Sequence, residues 1–359
     1  MNQHPMLPIR PESSIASRDT VLIIGCGDVT QNRAHPALGQ LREEGCLHAA
    51  AYVDINPIRP PYLEHDARYF QIDNGCLLPL NELARNGLLG PHVVAVICTP
   101  TPYHALYATQ LLGTRCYTAV EKPLTQSIAA AEALLPFTDV VFPIGHQLFK
   151  ADMLEFLDRC QQEPAVTANL TALSFDLWES KGVGNRSIDD AVWDLGWHGF
   201  ECILAPLRAA GHTVAWAISR VQVVTYDPLV GEPSPTTFTA TVIDGWVRYA
   251  RRDVPFRIRV GKGLPEEHKQ LAFHYRRGIN PCNVSLQESG WQAHYRVLRE
   301  LLTAPKPNLK LSLADTVAVV ELCTRAGRMI EDTGTYAFGT LPDFLYVDMP
   351  REVWHNQAA

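Results

Sequence analysis

Asp194 and His198 stand four residues apart in a segment of helical pattern, which puts both side chains on one face of the element. An imidazole with an ordinary pKa of about 6.5 accepts and returns a proton around neutrality, so His198 suits a general base acting on a substrate hydroxyl. Asp194 would orient that ring or bind a neighbouring hydroxyl. Lys122, in Glu121-Lys122-Pro123, adds an ammonium able to donate to an oxygen that is gaining negative charge. Together these groups would remove a hydroxyl proton and stabilise the charge left on its oxygen. Whether Lys122 or His198 is the proton acceptor stays open. Read alone, a lysine before a proline is a solvated surface residue, and an Asp/His pair a surface hydrogen-bonded one. Trp193, Leu195, Trp197 and Phe200 around the pair argue against a wholly solvated face.

The elements that position these groups fall into two halves. In the first, short apolar runs (Val21 to Ile24, Ala50 to Val53, Val93 to Cys98, Cys116 to Val120, Val140 to Ile144) alternate with helical segments, as a parallel sheet covered on both faces requires. Thr101 as N-cap, Pro102 and Gly113 punctuate one crossover helix. Gln31 to Glu44 reads as another, with Pro36 kinking it or delaying its start. From about residue 165 alternating strands (Thr167 to Trp178, Val214 to Tyr226, Thr237 to Ile243) predict an open, mainly antiparallel sheet, interrupted by helices at Ala191 to Leu207 and Gly290 to Leu302. A late helix over 313–332 starts at the capping box Ser312-x-x-Asp315, stops at Gly334, and is expected to pack back on the first domain. The fold class expected is α/β, a doubly wound parallel sheet followed by an α+β domain. The divisions are a flexible leader at 1–19, a dinucleotide-binding domain at 20–146, and a substrate-binding and oligomerisation domain at 147–359.

The first strand runs into Gly25-Cys26-Gly27-Asp28-Val29-Thr30. Here Gly25 allows a tight turn and Gly27 lets backbone approach a pyrophosphate at a helix N-terminus, while Thr30 stands where a third glycine is usual. Asp54, at the end of the second strand, can accept from adenosine ribose hydroxyls; a turn or helix-capping aspartate is the plainer reading. A carboxylate there repels a 2′-phosphate, so NAD is favoured, with NADP as the alternative if Arg33 or Arg59 folds close.

The loop from Glu179 to Arg186 is placed to contact substrate, with Trp178 at the strand end before it as a further substrate-binding candidate and Lys181 and Arg186 able to bind hydroxyls, a carboxylate or a phosphate. A flexible glycine-rich connector is the competing reading. A formal charge of −7 without clustered Lys and Arg argues against nucleic acid, and no apolar run is long enough to span a bilayer. Nine scattered cysteines, without C-x-x-C or Cys/His spacing, read as reduced thiols in a cytoplasmic protein with no metal site. His146, His212, His274 and His294 likewise lack ligand spacing and receive no role.

The sequence resembles the glucose–fructose oxidoreductase, inositol dehydrogenase and rhizopine-catabolism group, Gfo/Idh/MocA. Five motifs in that family's order carry the resemblance: Gly25-Cys26-Gly27, Cys98-Thr99-Pro100-Thr101-Pro102-Tyr103-His104, Glu121-Lys122-Pro123-Leu124, Gly145-His146-Gln147 and Asp194-x-Gly196-x-His198. It implies that Thr99 and Pro100 lie against the cofactor, that His104 opens the next helix, that Glu121 approaches the nicotinamide ribose and that Gln147 lies near the nicotinamide. It also implies a homodimer or homotetramer. The activity expected is an NAD(P)-dependent interconversion of a secondary alcohol and a ketone on a sugar, cyclitol or related polyol. A redox-neutral enzyme with tightly held NAD and a non-enzymatic dinucleotide or sugar sensor are the alternatives.

Overall fold

The computed structural model describes residues 18–64, 67–73, 77–179, 192–227, 238–262, 267–276 and 279–337. Lys181 and Arg186 lie outside these residues. So does the leader read at 1–19, save Arg18 and Asp19. Arg18 is buried, its Nε donating to Leu301 O at 2.5 Å and its guanidinium lying 4.1 Å over the Tyr117 ring. Arg18, read as part of the leader, is thus packed against the folded chain.

The first domain contains β1 (Thr20–Ile24), a π-turn (Thr30–Ala34) leading into α1 (His35–Glu43), β2 (Ala49–Asp54), β3 (Arg68–Gln71), α2 (Leu80–Arg85) and β4 (Val93–Ile97). It continues with α3 (His104–Leu111), β5 (Tyr117–Val120), α4 (Ile128–Glu132) and β6 (Val141–Pro143). Its six strands are parallel in the order β3-β2-β1-β4-β5-β6. β1 and β4, the central pair, are wholly buried, which explains why they read as unbroken apolar runs. Strand β3 has only Phe70 buried, so this polar edge strand left no apolar run to read.

Pro36 has no N–H to continue an α-helical ladder, and the chain meets it with the π-turn at 30–34, after which α1 begins. Thr101 does not cap α3. A 3₁₀ turn over Thr101–Tyr103 precedes the helix, and Arg115, at φ 64°, takes the left-handed position after it rather than Gly113.

The second domain runs through α5 (Ala151–Gln162), α6 (Ala165–Ala168), β7 (Leu170–Glu179), a π-turn (Val192–Gly196), α7 (Trp197–Ala209), β8 (Ala215–Asp227) and β9 (Phe238–Tyr249). After these come β10 (Arg252–Lys262), β11 (His268–Tyr275), β12 (Cys282–Ser285), α8 (Gly290–Thr303), α9 (Leu313–Gly327) and β13 (Ile330–Ala337). Its sheet order is β12-β11-β7-β10-β9-β8-β13, mainly antiparallel, with β7–β10 and β8–β13 parallel.

Helix α7 lies on one sheet face. A Cβ on Gly199 would come within 2.6 Å of the Ile258 side chain, so the close approach that fixes His198 requires glycine. The Ser312/Asp315 capping box is present. The helix it starts ends at Gly327, however, and not at 332, because Ile330–Ala337 pairs with β8; Gly334 lies inside that strand. Helix α9 packs on α4 and β6, and α8 packs on α1. Among the described residues no helix is long and apolar enough to cross a membrane.

Candidate active site

The strand order of the parallel sheet reverses between β1 and β4, the place where folds of this kind open a binding crevice. Gly25 has φ +94°, and a Cβ there would sit 2.8 Å from both Cys98 C and Thr99 N, so two loops meet at a residue that must be glycine. At Gly27 a Cβ would meet nothing within 4 Å, leaving open space over the turn. Thr30 is buried, and its hydroxyl donates to Gly25 O at 2.5 Å, closing the turn from the position of the missing glycine. Asp28 is exposed and Val29 half-buried at the start of the following helix. The Asp54 carboxylate accepts from the Cys26 and Asn56 backbone N–H groups at 2.5 and 2.8 Å, which seats it beside the turn.

His104 bridges two loops, with Nδ1 2.7 Å from Pro123 O and Nε2 2.6 Å from Thr99 O. It thereby ties the Thr99-Pro100 segment to the cis Lys122-Pro123 turn. The Thr99 hydroxyl and the Gln147 Oε1 are buried without a hydrogen-bond partner. Orphaned buried polar atoms on two loops fit a polar ligand such as a dinucleotide. Arg33, considered above for a 2′-phosphate, instead lies with Nη1 3.4 Å from both ring nitrogens of His146.

Lys122 reaches across to the second domain, donating to Asp194 Oδ1 at 2.5 Å and to Asp194 O at 2.9 Å. Both side chains keep part of their surface in solvent, at 12% and 29%. One turn on, His198 is buried, its ring edge-on to that of His146 at 4.7 Å. Burial, and then the Lys122 charge, push the His198 pKa well below its ordinary 6.5, against the pull of Asp194. The ring is therefore held neutral. His146 is pushed the same way by burial and then by Arg33.

Sequence reasoning thus named residues that converge here: the Gly25 turn, Asp54, Thr99, His104, Glu121, Lys122, Gln147, Asp194 and His198. Trp178 is not brought to them. It shares strand parity with Asp176, whose partner Arg259 lies 5.6 Å over its ring, on the sheet face opposite Ile258 and α7. Three buried residues were missed. His146 lies between Arg33 and His198; His294 of α8 places Nε2 2.7 Å from Glu121 Oε1; Glu201 lies 3.5 Å from His198 Nδ1. A readable signal existed for Glu201, a lone charge in the apolar run Phe200 to Leu207 three residues after His198. Among the described residues no group of three or more His, Cys, Asp or Glu is arranged to hold a metal.

Residues 20–138 match the model of a family described as an oxidoreductase family with an NAD-binding Rossmann fold. No curated protein matches the chain. Among solved structures it is similar to GenD2 from gentamicin A biosynthesis in complex with NAD, at 17% identity and TM-score 0.61, covering 89% of this chain and 96% of that one. Myo-inositol dehydrogenase from Lactobacillus casei, in complex with NAD(H) and myo-inositol, is 13% identical, with TM-score 0.61 and 87% and 94% coverage. The UDP-N-acetylglucosamine 3-dehydrogenase GnnA from Acidithiobacillus ferrooxidans is 15% identical, with TM-score 0.61 and 88% and 98% coverage. At these identities the likeness is one of fold.

Proposed function

We propose, from the premise that residues 20–138 belong to the Gfo/Idh/MocA oxidoreductases, that this chain interconverts a secondary alcohol and a ketone on a sugar, cyclitol or related polyol. The observation that carries the reading is the Lys122–Asp194 contact between domains, one helical turn from a buried, neutral His198. When bound, the dinucleotide supplies the hydride acceptor in one direction and the donor in the other. The Gly25-to-Thr30 turn would hold its pyrophosphate and Asp54 its adenosine ribose, with Thr99, Pro100, Glu121 and Gln147 lining the nicotinamide half. The Lys122 ammonium, oriented by Asp194, donates to the reacting oxygen, and His198 takes or returns the hydroxyl proton. Chains of the same fold that act on an inositol and on a nucleotide sugar support the substrate class.

The sheet face opposite α7, which carries the Arg257–Asp244 and Arg259–Asp176 pairs, is the surface we assign to self-association as a homodimer or homotetramer. Size-exclusion chromatography checks it. The activity is tested by screening sugars, cyclitols and their keto forms with NAD and NADH. Lys122→Ala and His198→Ala should each lose about 10²- to 10⁴-fold in turnover while still binding dinucleotide. Full turnover in both variants would overturn the assignment of roles.

A further inference from the structure

Strands β2 and β3 are parallel, a pairing whose crossover is ordinarily helical, yet the connection between them carries no helix among its described residues. Part of the sheet face beside α1 is thereby left uncovered, and a groove of about 470 Å³ opens there. That is the size of a small-molecule site. Its walls are polar: His35 and Arg42 of α1, His48, Tyr52 of β2, Glu64, and Arg68 of β3. All six belong to the first domain, and none to the Lys122–Asp194 crossing.

Arg42, in the last turn of α1, reaches the Glu64 carboxylate only through Nη1, at 3.3 and 3.4 Å. Arg68, at the start of β3, gives Nη1 to Asn86 O at 3.3 Å. The other nitrogens of both guanidiniums have no partner among the described residues. Tyr52 is buried, with its hydroxyl 3.1 Å from Nδ1 of His35. Burial pushes the phenol up to about 12 and pulls His35 below its ordinary 6.5. The phenol therefore donates to Nδ1 of a neutral ring, which leaves Nε2–H as a donor facing the groove. Two guanidiniums on opposite walls match phosphate oxygens, while Glu64 can accept from hydroxyls and the His35 ring can donate to them.

We propose that this groove is an effector site for a phosphorylated sugar or polyol, separate from the substrate crevice, and that its occupation tightens dinucleotide binding. The link is Tyr62, from the connection between β2 and β3. Its ring meets that of His35 edge-on at 5.3 Å, and its hydroxyl donates to Cys26 O at 2.9 Å, inside the Gly25-Cys26-Gly27 turn. The Cys26 N–H in turn donates to Asp54 at 2.5 Å. A ligand held between α1 and β3 fastens His35, and through it the tyrosine that braces the cofactor turn. The coupling is reciprocal, so the dinucleotide tightens the effector by the same factor.

The test is calorimetric titration of cofactor-free protein with fructose 6-phosphate and ribose 5-phosphate, against fructose and inorganic phosphate as the separate halves. Wild type should bind at least one ester more tightly than either half. Arg42→Gln/Arg68→Gln, changed at two exposed positions, should bind it at least about 10-fold more weakly. Lys122→Ala, changed in the substrate crevice, should bind it as wild type does. No binding of either ester, binding kept in the double arginine variant, or binding lost in Lys122→Ala would overturn the site. Inorganic phosphate bound as tightly as the esters would overturn the sugar. In fluorescence titrations the saturating ester should tighten NADH binding about 5-fold or more in wild type. The gain should vanish in the double variant and in Tyr62→Phe, which keeps the ring and removes the donor to Cys26 O. An NADH affinity indifferent to the ester, or a gain kept in Tyr62→Phe, would overturn the coupling. None of these titrations needs turnover, so they decide the groove whatever the crevice acts on.

Discussion

Oε1 of Glu121 lies 2.7 Å from Nε2 of His294, which joins the loop after β5 in the parallel-sheet domain to α8 of the other domain. Both side chains are enclosed, at 3% and 0% exposure. A carboxylate placed alone in such surroundings would be expensive, and an opposing imidazole offsets the cost. His294→Ala should therefore destabilise the protein by about 3–5 kcal/mol, the range for breaking a buried pair from one side. The loss in the double variant Glu121→Gln/His294→Ala should fall short of the summed single losses. Urea denaturation of the four proteins measures both. Simple additivity would mean the two groups do not interact.

The same enclosure sets an acid limit. Burial pushes the Glu121 carboxyl up, but His294, Arg33 and Lys122 outweigh it and hold the group down at about 2. Its folded value thus lies below its ordinary 4.5, so the stability it contributes is complete above 4.5 and is lost as pH falls toward 2. His146 is also lowered, from 6.5, chiefly by burial, so its contribution begins to fade below 6.5. Melting temperature should fall from pH 7 to 5 in wild type and fall less in His146→Phe, which cannot be protonated. Equal slopes would remove His146 as the cause.

Much of this was legible because the chemistry of the first domain is local. Gly25, Asp54, Thr99 and Lys122 sit at strand ends, and a parallel sheet brings successive strand ends together without further information. Asp194 and His198 were likewise readable from spacing on one element. The partners of these groups were not. His294 belongs to α8, whose apolar positions Ala293, Val297 and Leu298 read only as a helix face; that this face covers Glu121 depends on how two domains dock. His146 has no chemistry visible until Arg33 and His198 close on either side of it. β13 was read as the end of a helix because its strand character comes from pairing with β8 and not from its own composition.

Gly25 offers a test of the cradle. Its φ of +94° and the 2.8 Å distance from a built Cβ to Cys98 C and Thr99 N mean that Gly25→Ala must push two backbone segments apart. We expect a stability loss of about 1–3 kcal/mol, with loss of NADH binding by fluorescence titration. Gly27→Ala should leave stability almost unchanged, since its Cβ would meet nothing within 4 Å, yet weaken binding by standing where the pyrophosphate approaches. If Gly27→Ala bound NADH as wild type does, the pyrophosphate would not lie over this turn.

Asp54 is the residue proposed to choose between the two dinucleotides, and two substitutions separate its roles. One carboxylate oxygen accepts from Cys26 N–H at 2.5 Å and the other from Asn56 N–H at 2.8 Å, so the residue shapes the turn as well as presenting charge. Asp54→Asn keeps an acceptor for the turn and removes the charge; Asp54→Ala removes both. Loss of a charged hydrogen bond to ribose, about 1.5–3 kcal/mol, corresponds to NADH binding about 10- to 100-fold weaker. NADPH binding should strengthen in Asp54→Asn, because the like charge opposing a 2′-phosphate is gone; Arg33, engaged with His146, is not counted as an added attraction. Asp54→Ala should bind both dinucleotides less well than Asp54→Asn, with a lower melting temperature. Parallel titrations of NADH and NADPH into the three proteins give the answer, and tighter NADPH binding by the wild type would rule out Asp54 as the selector.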